Sequence, residues 1–86
     1  MFTIRFSKSA IKALRNLPRG IADRMLTELR GIAKNPSLYR GDWKPLQGAD
    51  DLWRLRVGGW RAICEVRNDE LVLLVIKVAA RGDAYK

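Results

Sequence analysis

Arg54, Arg56 and Arg61 lie in the stretch Asp51-Leu-Trp-Arg-Leu-Arg-Val-Gly-Gly-Trp-Arg-Ala-Ile-Cys-Glu-Val66, and their spacing could place three guanidinium groups on one surface. The stretch reads as two β-strands joined by Gly58-Gly59, a two-residue hairpin signal between alternating runs. That register pairs Val57 with Trp60, Arg56 with Arg61, Leu55 with Ala62, Arg54 with Ile63 and Trp53 with Cys64. One side then carries Trp53, Leu55, Val57, Trp60, Ala62, Cys64 and Val66, an apolar core face. The other side carries the three arginines. Like charges directly opposite one another weaken a β-ladder, so Arg56 against Arg61 breaks a local rule of sheet construction. Such breaks concentrate at functional sites. Fixed guanidinium groups match anions in a planar, bidentate way, and phosphate is the natural candidate.

What the chain lacks narrows the chemistry further. There is no histidine among the 86 residues, which removes the usual general acid/base, the usual metal ligand and any Ser-His or Cys-His pair. Cys64 is the one cysteine, so neither an internal disulfide nor a thiolate metal cluster can be built. Catalysis, if any, falls to Arg, Lys, Tyr or carboxylates. The 17 Lys+Arg against 9 Asp+Glu give a net charge of +8, which calls for an acidic partner such as nucleic acid, an anionic membrane or an acidic protein. Leu71 to Ala80 is half the length a membrane-spanning helix needs, and a strand pattern starts at once without a signal-peptide pattern, so a cytoplasmic location is expected.

The elements that must position the arginines are read in order. Phe2 to Phe6 alternates with period two, a half-buried strand. Ser7 is the expected N-cap of a helix with the inner stripe Ala10, Ile11, Leu14 and Leu17. Pro18 ends it, and a second helix runs from about Arg19 to Lys34 on Ile21, Met25, Leu29 and Ile32, with Ala22, Leu26 and Ala33 beside them. So short a joint predicts an antiparallel helical pair. Pro36 to Asp50 reads as irregular. It is either a crossover pinned by Trp43 and Leu46 or a basic-aromatic loop whose Arg40, Trp43 and Lys44 stack bases and hold phosphates. After the hairpin, Arg67 to Glu70 is a tight turn, and Leu71 to Val78 is apolar on both faces, an interior strand. If Val72, Leu74 and Ile76 lie away from the helices, with Ile63 beside them, something else must cover that patch. Gly82-Asp83 predicts a bend in the tail. The expectation is one α+β domain over residues 1–86: an N-terminal strand and a helical hairpin packed on one face of a small, mainly antiparallel sheet of about four strands.

These residues resemble the RelE/ParE superfamily of bacterial toxins from type II toxin–antitoxin systems, and more its RelE-like branch. The resemblance runs along nearly the whole chain: strand, helical hairpin, Lys44-Pro-Leu-Gln-Gly48, Leu-Trp-Arg-Leu-Arg-Val-Gly-Gly-Trp-Arg61, then Val78-x-x-Arg81 and a late Tyr85. It implies a ribosome-dependent messenger-RNA endoribonuclease that needs no cofactor or metal. By position it implies catalytic roles for Arg54, Arg56, Arg61, Arg81 and Tyr85; with Arg54 and Arg56, the basic-aromatic loop residues Arg40, Trp43 and Lys44 are the expected RNA contacts. The implied partners are messenger and ribosomal RNA in the ribosomal A site and an acidic antitoxin. That antitoxin, a helix plus an extended segment, would cover Ile63, Val72, Leu74 and Ile76. Arg61 and Arg56 would balance charge on the phosphorane, Arg81 would sit near the leaving oxygen, and Tyr85 would stack on a base or shuttle a proton.

Two departures from the family pattern stand out. Relatives often carry lysine at one or both of the positions of Arg54 and Arg56, and arginine is effectively never deprotonated. The general base is then open among Tyr85, Lys44 and solvent hydroxide. Many relatives also have histidine before the closing arginine, where this chain has Val78-Ala79-Ala80-Arg81. The alternative is a ParE-type toxin that inhibits DNA gyrase without cutting. A third reading has the arginines bind an acidic antitoxin in an inert complex.

Overall fold

The computed structural model describes residues 1–80; Arg81, the Gly82-Asp83 bend and Tyr85 lie outside the described residues. The element order is β1 (Thr3–Phe6), α1 (Lys8–Arg15), α2 (Arg19–Lys34), β2 (Trp43–Pro45), β3 (Leu52–Val57), β4 (Trp60–Arg67) and β5 (Val72–Ala80). The strands form one sheet in the order β1-β5-β4-β3-β2. Only β1 and β5 run parallel; the other pairs are antiparallel. The α+β class is as expected, with one strand more than the sequence suggested.

That strand is β2, inside the segment read as irregular. It is three residues long, too short for a period-two signal, and Pro45 has no N–H to give to a ladder. The edge position makes the proline harmless, because β2 needs to bond on one side alone.

In α1 the Ser7 Oγ accepts from the Ala10 N–H at 3.0 Å, a side-chain cap on an otherwise open helix start. Ala10 and Leu17 are buried and Ala13 and Leu14 half-buried, whereas Ile11 is 40% exposed. Ile11 therefore leaves the stripe assigned to it. The buried set Ala10, Ala13, Leu14 and Leu17 follows i, i+3, i+4, i+7 spacing, and Ile11 lies off that arc. In α2, Met25, Leu29 and Ile32 are fully buried, packed in one cluster with Leu55, Cys64, Leu73 and Val75 from the sheet. Burial pushes the Cys64 thiol up to about 12, so Cys64 fills core volume and is no nucleophile.

The β4–β5 ladder contains a bulge. Ile63 pairs with Lys77 and Cys64 with Val75, so Ile76 has no partner on β4. Its carbonyl accepts from the hydroxyls of Ser7 at 2.6 Å and Ser9 at 3.3 Å, which satisfies a group the ladder leaves open. The bulge changes the side-chain alternation along β5. Leu73, Val75 and then Val78 are the buried core residues, and Lys77 pairs with Ile63 on the opposite face. The apolar strand read from the sequence is thus out of phase beyond Val75, and Ile76 sits at the irregularity rather than in line with Val72 and Leu74.

The crossover between α2 and β2 is pinned by its aromatic residues. The Tyr39 hydroxyl donates to Glu28 Oε1 on α2 at 2.5 Å, and burial first, then that carboxylate, raise its pKa. Trp43 stacks on Trp53 with ring centroids 5.2 Å apart and 15° between planes. A Cβ on Gly41 would fall 2.0 Å from the Tyr39 hydroxyl oxygen. Gly41→Ala is therefore expected to lift the ring off Glu28 and cost about 1.5–3 kcal/mol, the scale of a lost hydrogen bond to a charged group. Chemical denaturation reads this; a wild-type midpoint would show that the ring is not held there.

Candidate nucleic-acid interface

The hairpin register is the expected one: Arg56 faces Arg61, Arg54 faces Ile63 and Trp53 faces Cys64. Gly58 adopts φ +59° at the first turn position, a conformation that costs an L side chain but not glycine. The face away from the helices can be followed in rows across the strands. Nearest the hairpin turn, Arg56, Arg61 and Ala79 lie side by side on β3, β4 and β5. The next row runs Lys44, Arg54, Ile63 and Lys77 from β2 to β5. Beyond these come Leu52, Glu65, Leu74 and Arg5, and then Arg67, Val72 and Thr3.

Charge is divided along this face. Its hairpin end holds the cations Lys44, Arg54, Arg56, Arg61 and Lys77, and among the described residues Asp42 is a carboxylate bonded there. Asp42 accepts from Arg54 Nη2 at 2.9 Å, and its backbone carbonyl accepts from the Arg56 N–H at 3.0 Å. At the other end Glu65 and Glu70 pair with Arg67, so carboxylates offset the cations there. The positive potential is therefore concentrated at one end of the sheet.

The arginines differ in how they are held. Arg54 has a side chain only 11% exposed; Asp42 compensates its charge and fixes its direction. Arg56 is exposed, with Nε donating to the Gly58 carbonyl at 3.4 Å. Arg61 is half-buried and its Nε is shielded from solvent. On one side of Arg61 stands Arg56, and on the other Ala79, whose side chain is a single methyl. Adjacent strands are about 4.8 Å apart, so Arg56 and Arg61 can reach oxygens of one phosphate.

The expected site residues separate into groups. Lys44, Arg54, Arg56 and Arg61 come together on one face. Trp43 does not: it pairs with Leu55, stacks on Trp53 and packs against the core on the helix side of the sheet. Arg40 is exposed in the crossover ahead of β2. Val72 and Leu74 are half-buried on the cationic face but at its end away from the hairpin turn. Ile63 is already 6% exposed within the single chain, flanked by Arg54 and Lys77, whose aliphatic stems can lie over apolar surface. It offers little area to a partner. Two participants escaped the sequence reading. Asp42 lies in the segment read as irregular, and Lys77 follows from the bulge.

The chain is similar to known proteins. Residues 4–85 match the family described as ParE toxin of type II toxin-antitoxin system, parDE. RelE1 of Methanocaldococcus jannaschii, named as a toxin, is 28% identical over 86 residues, covering 99% of this chain and 96% of that one. Among solved structures, the archaeal RelE-RelB complex from Pyrococcus horikoshii OT3 contains a chain 29% identical with a TM-score of 0.81, covering 96% of this chain and 98% of that one. The isolated E. coli RelE toxin shares the fold at a TM-score of 0.82 and 21% identity, over 99% of this chain and 92% of that one. The fold is that of the small RelE-type toxins. The chain belongs to the RelE/ParE superfamily of type II toxin–antitoxin toxins, in its RelE-like branch.

Proposed function

We propose that this toxin is a messenger-RNA endoribonuclease acting in the ribosomal A site, with the hairpin end of the sheet as its phosphate-binding surface. The observation that carries this is the juxtaposition of Arg56 and Arg61, directly opposite on a rigid ladder and away from the core. In the proposed reaction the 2′-oxygen bonds to phosphorus and the bond from phosphorus to the 5′-oxygen breaks. The 2′-hydroxyl loses a proton and the leaving oxygen gains one. Negative charge builds on the phosphorane oxygens between those events, and preorganised guanidinium donors stabilise it. Arg54, tied to Asp42, serves better to shape the surface than to follow the reacting phosphate. Arg81 and Tyr85 keep the roles the family resemblance implies for them, near the leaving oxygen and against a base. Lys44 and Arg40 are proposed to hold flanking RNA.

The proposed partner in the silenced state is an acidic antitoxin, in line with the RelE-RelB complex of Pyrococcus horikoshii. Its apolar contacts would fall on Val72 and Leu74, the half-buried pair that the bulge leaves in line on that face. A gyrase-inhibiting function is the second reading, favoured by the family description naming ParE and by the lack of a histidine. Two assays separate them. Toeprinting of translating ribosomes should give cuts at fixed positions within codons, and gyrase supercoiling should be unaffected. Inhibited supercoiling without cuts would select the second reading.

A further inference from the structure

We infer that Lys77 is a backbone-phosphate contact, extending the RNA surface from the hairpin onto β5; this rests on the reading of that face as an RNA site. Lys77 is the one charged residue in β5, Val72–Ala80. Strict alternation from Leu73 and Val75 would turn it onto the core face of the sheet, where an ammonium is costly. The bulge at Ile76, held by the Ser7 and Ser9 hydroxyls, brings it out beside Ile63 instead.

The position it reaches completes a row. Lys44, Arg54, Ile63 and Lys77 cross four neighbouring strands, three strand spacings or about 14 Å. One phosphate cannot meet both ends of such a row, so Lys77 and Lys44 would hold different phosphates on either side of the Arg56–Arg61 pair. Lysine suits this task, because a compact ammonium on a flexible stem binds backbone without reading sequence.

The test uses the full-length chain and an all-2′-O-methyl single-stranded oligoribonucleotide, which cannot be cut by 2′-oxygen attack. Fluorescence anisotropy titrations between 50 and 200 mM salt give the slope of log affinity against log salt. One phosphate contact on a single strand is worth about 0.7 in that slope. Lys77→Ala and Lys77→Gln should each flatten it by that amount, so that the four-fold rise in salt weakens binding about 2.6-fold less than in wild type. Lys77→Arg should keep the wild-type slope, and all variants should melt like wild type. Wild-type slopes in both neutral variants, with Arg56→Ala flattened, would overturn the assignment of Lys77 alone. A wild-type chain without affinity for the oligonucleotide would overturn the RNA reading and this inference with it.

Discussion

Arg61→Ala should abolish growth arrest on induced expression while leaving a folded protein. Removing one preorganised donor from a site where charge develops costs about 10²–10³ in rate, and Arg61 is the central member of the Arg56–Arg61–Ala79 row. The fold should survive for a specific reason. Arg56 and Arg61 repel across the ladder, and loss of either relieves that repulsion. Thermal melting should therefore stay close to wild type, less what is lost from the contacts of the arginine stem and head. Arg61→Gln keeps more of that stem and should be equally inactive. Growth arrest by either variant at wild-type strength would remove Arg61 from the site.

Leu29→Ala carries the largest expected effect on stability. Leu29 is fully buried where α2 meets the sheet, and such truncations cost about 2–5 kcal/mol. A loss of about 3 kcal/mol lowers the Tm of a domain this size by about 12–24 °C. Since small domains have about 5–15 kcal/mol in total, this variant should accumulate poorly in cells. Ile11→Ala is the paired control. Ile11 is 40% exposed, and surface changes of this kind fall within about 0.5 kcal/mol. Equal melting temperatures for the two variants would contradict the helix faces described above.

Much of this was legible in the chain because the signals were local. Gly58-Gly59 between alternating runs determines the register of β3 and β4, and with it the opposition of Arg56 and Arg61. Ser7 and Pro18 mark helix ends through capping and the missing N–H, and the period of α2 points to Met25, Leu29 and Ile32. The bulge was not legible. Its open carbonyl on Ile76 is satisfied by Ser7, 69 residues away in sequence, and no pattern within β5 reports that contact. Lys77 therefore read as part of an apolar strand. Trp43 failed differently: an aromatic residue amid basic ones suits RNA stacking and core packing equally, and only its pairing with Leu55 and stacking on Trp53 decide between them. Asp42 could be valued only once β2 was seen to lie beside β3.

The electrostatic division of the sheet also bears on how such a protein is kept in check. An acidic segment seated on the cationic end would compete directly with RNA, whereas one anchored at Val72 and Leu74 would have to reach along the face to do so.

The most direct measurement is transcriptome-wide mapping of new 5′-hydroxyl RNA ends after induced expression of the wild type and of Arg61→Ala. The account predicts ends inside translated reading frames, at a fixed position within codons, for the wild type and none for the variant. Growth arrest by the wild type with no new RNA ends would contradict it.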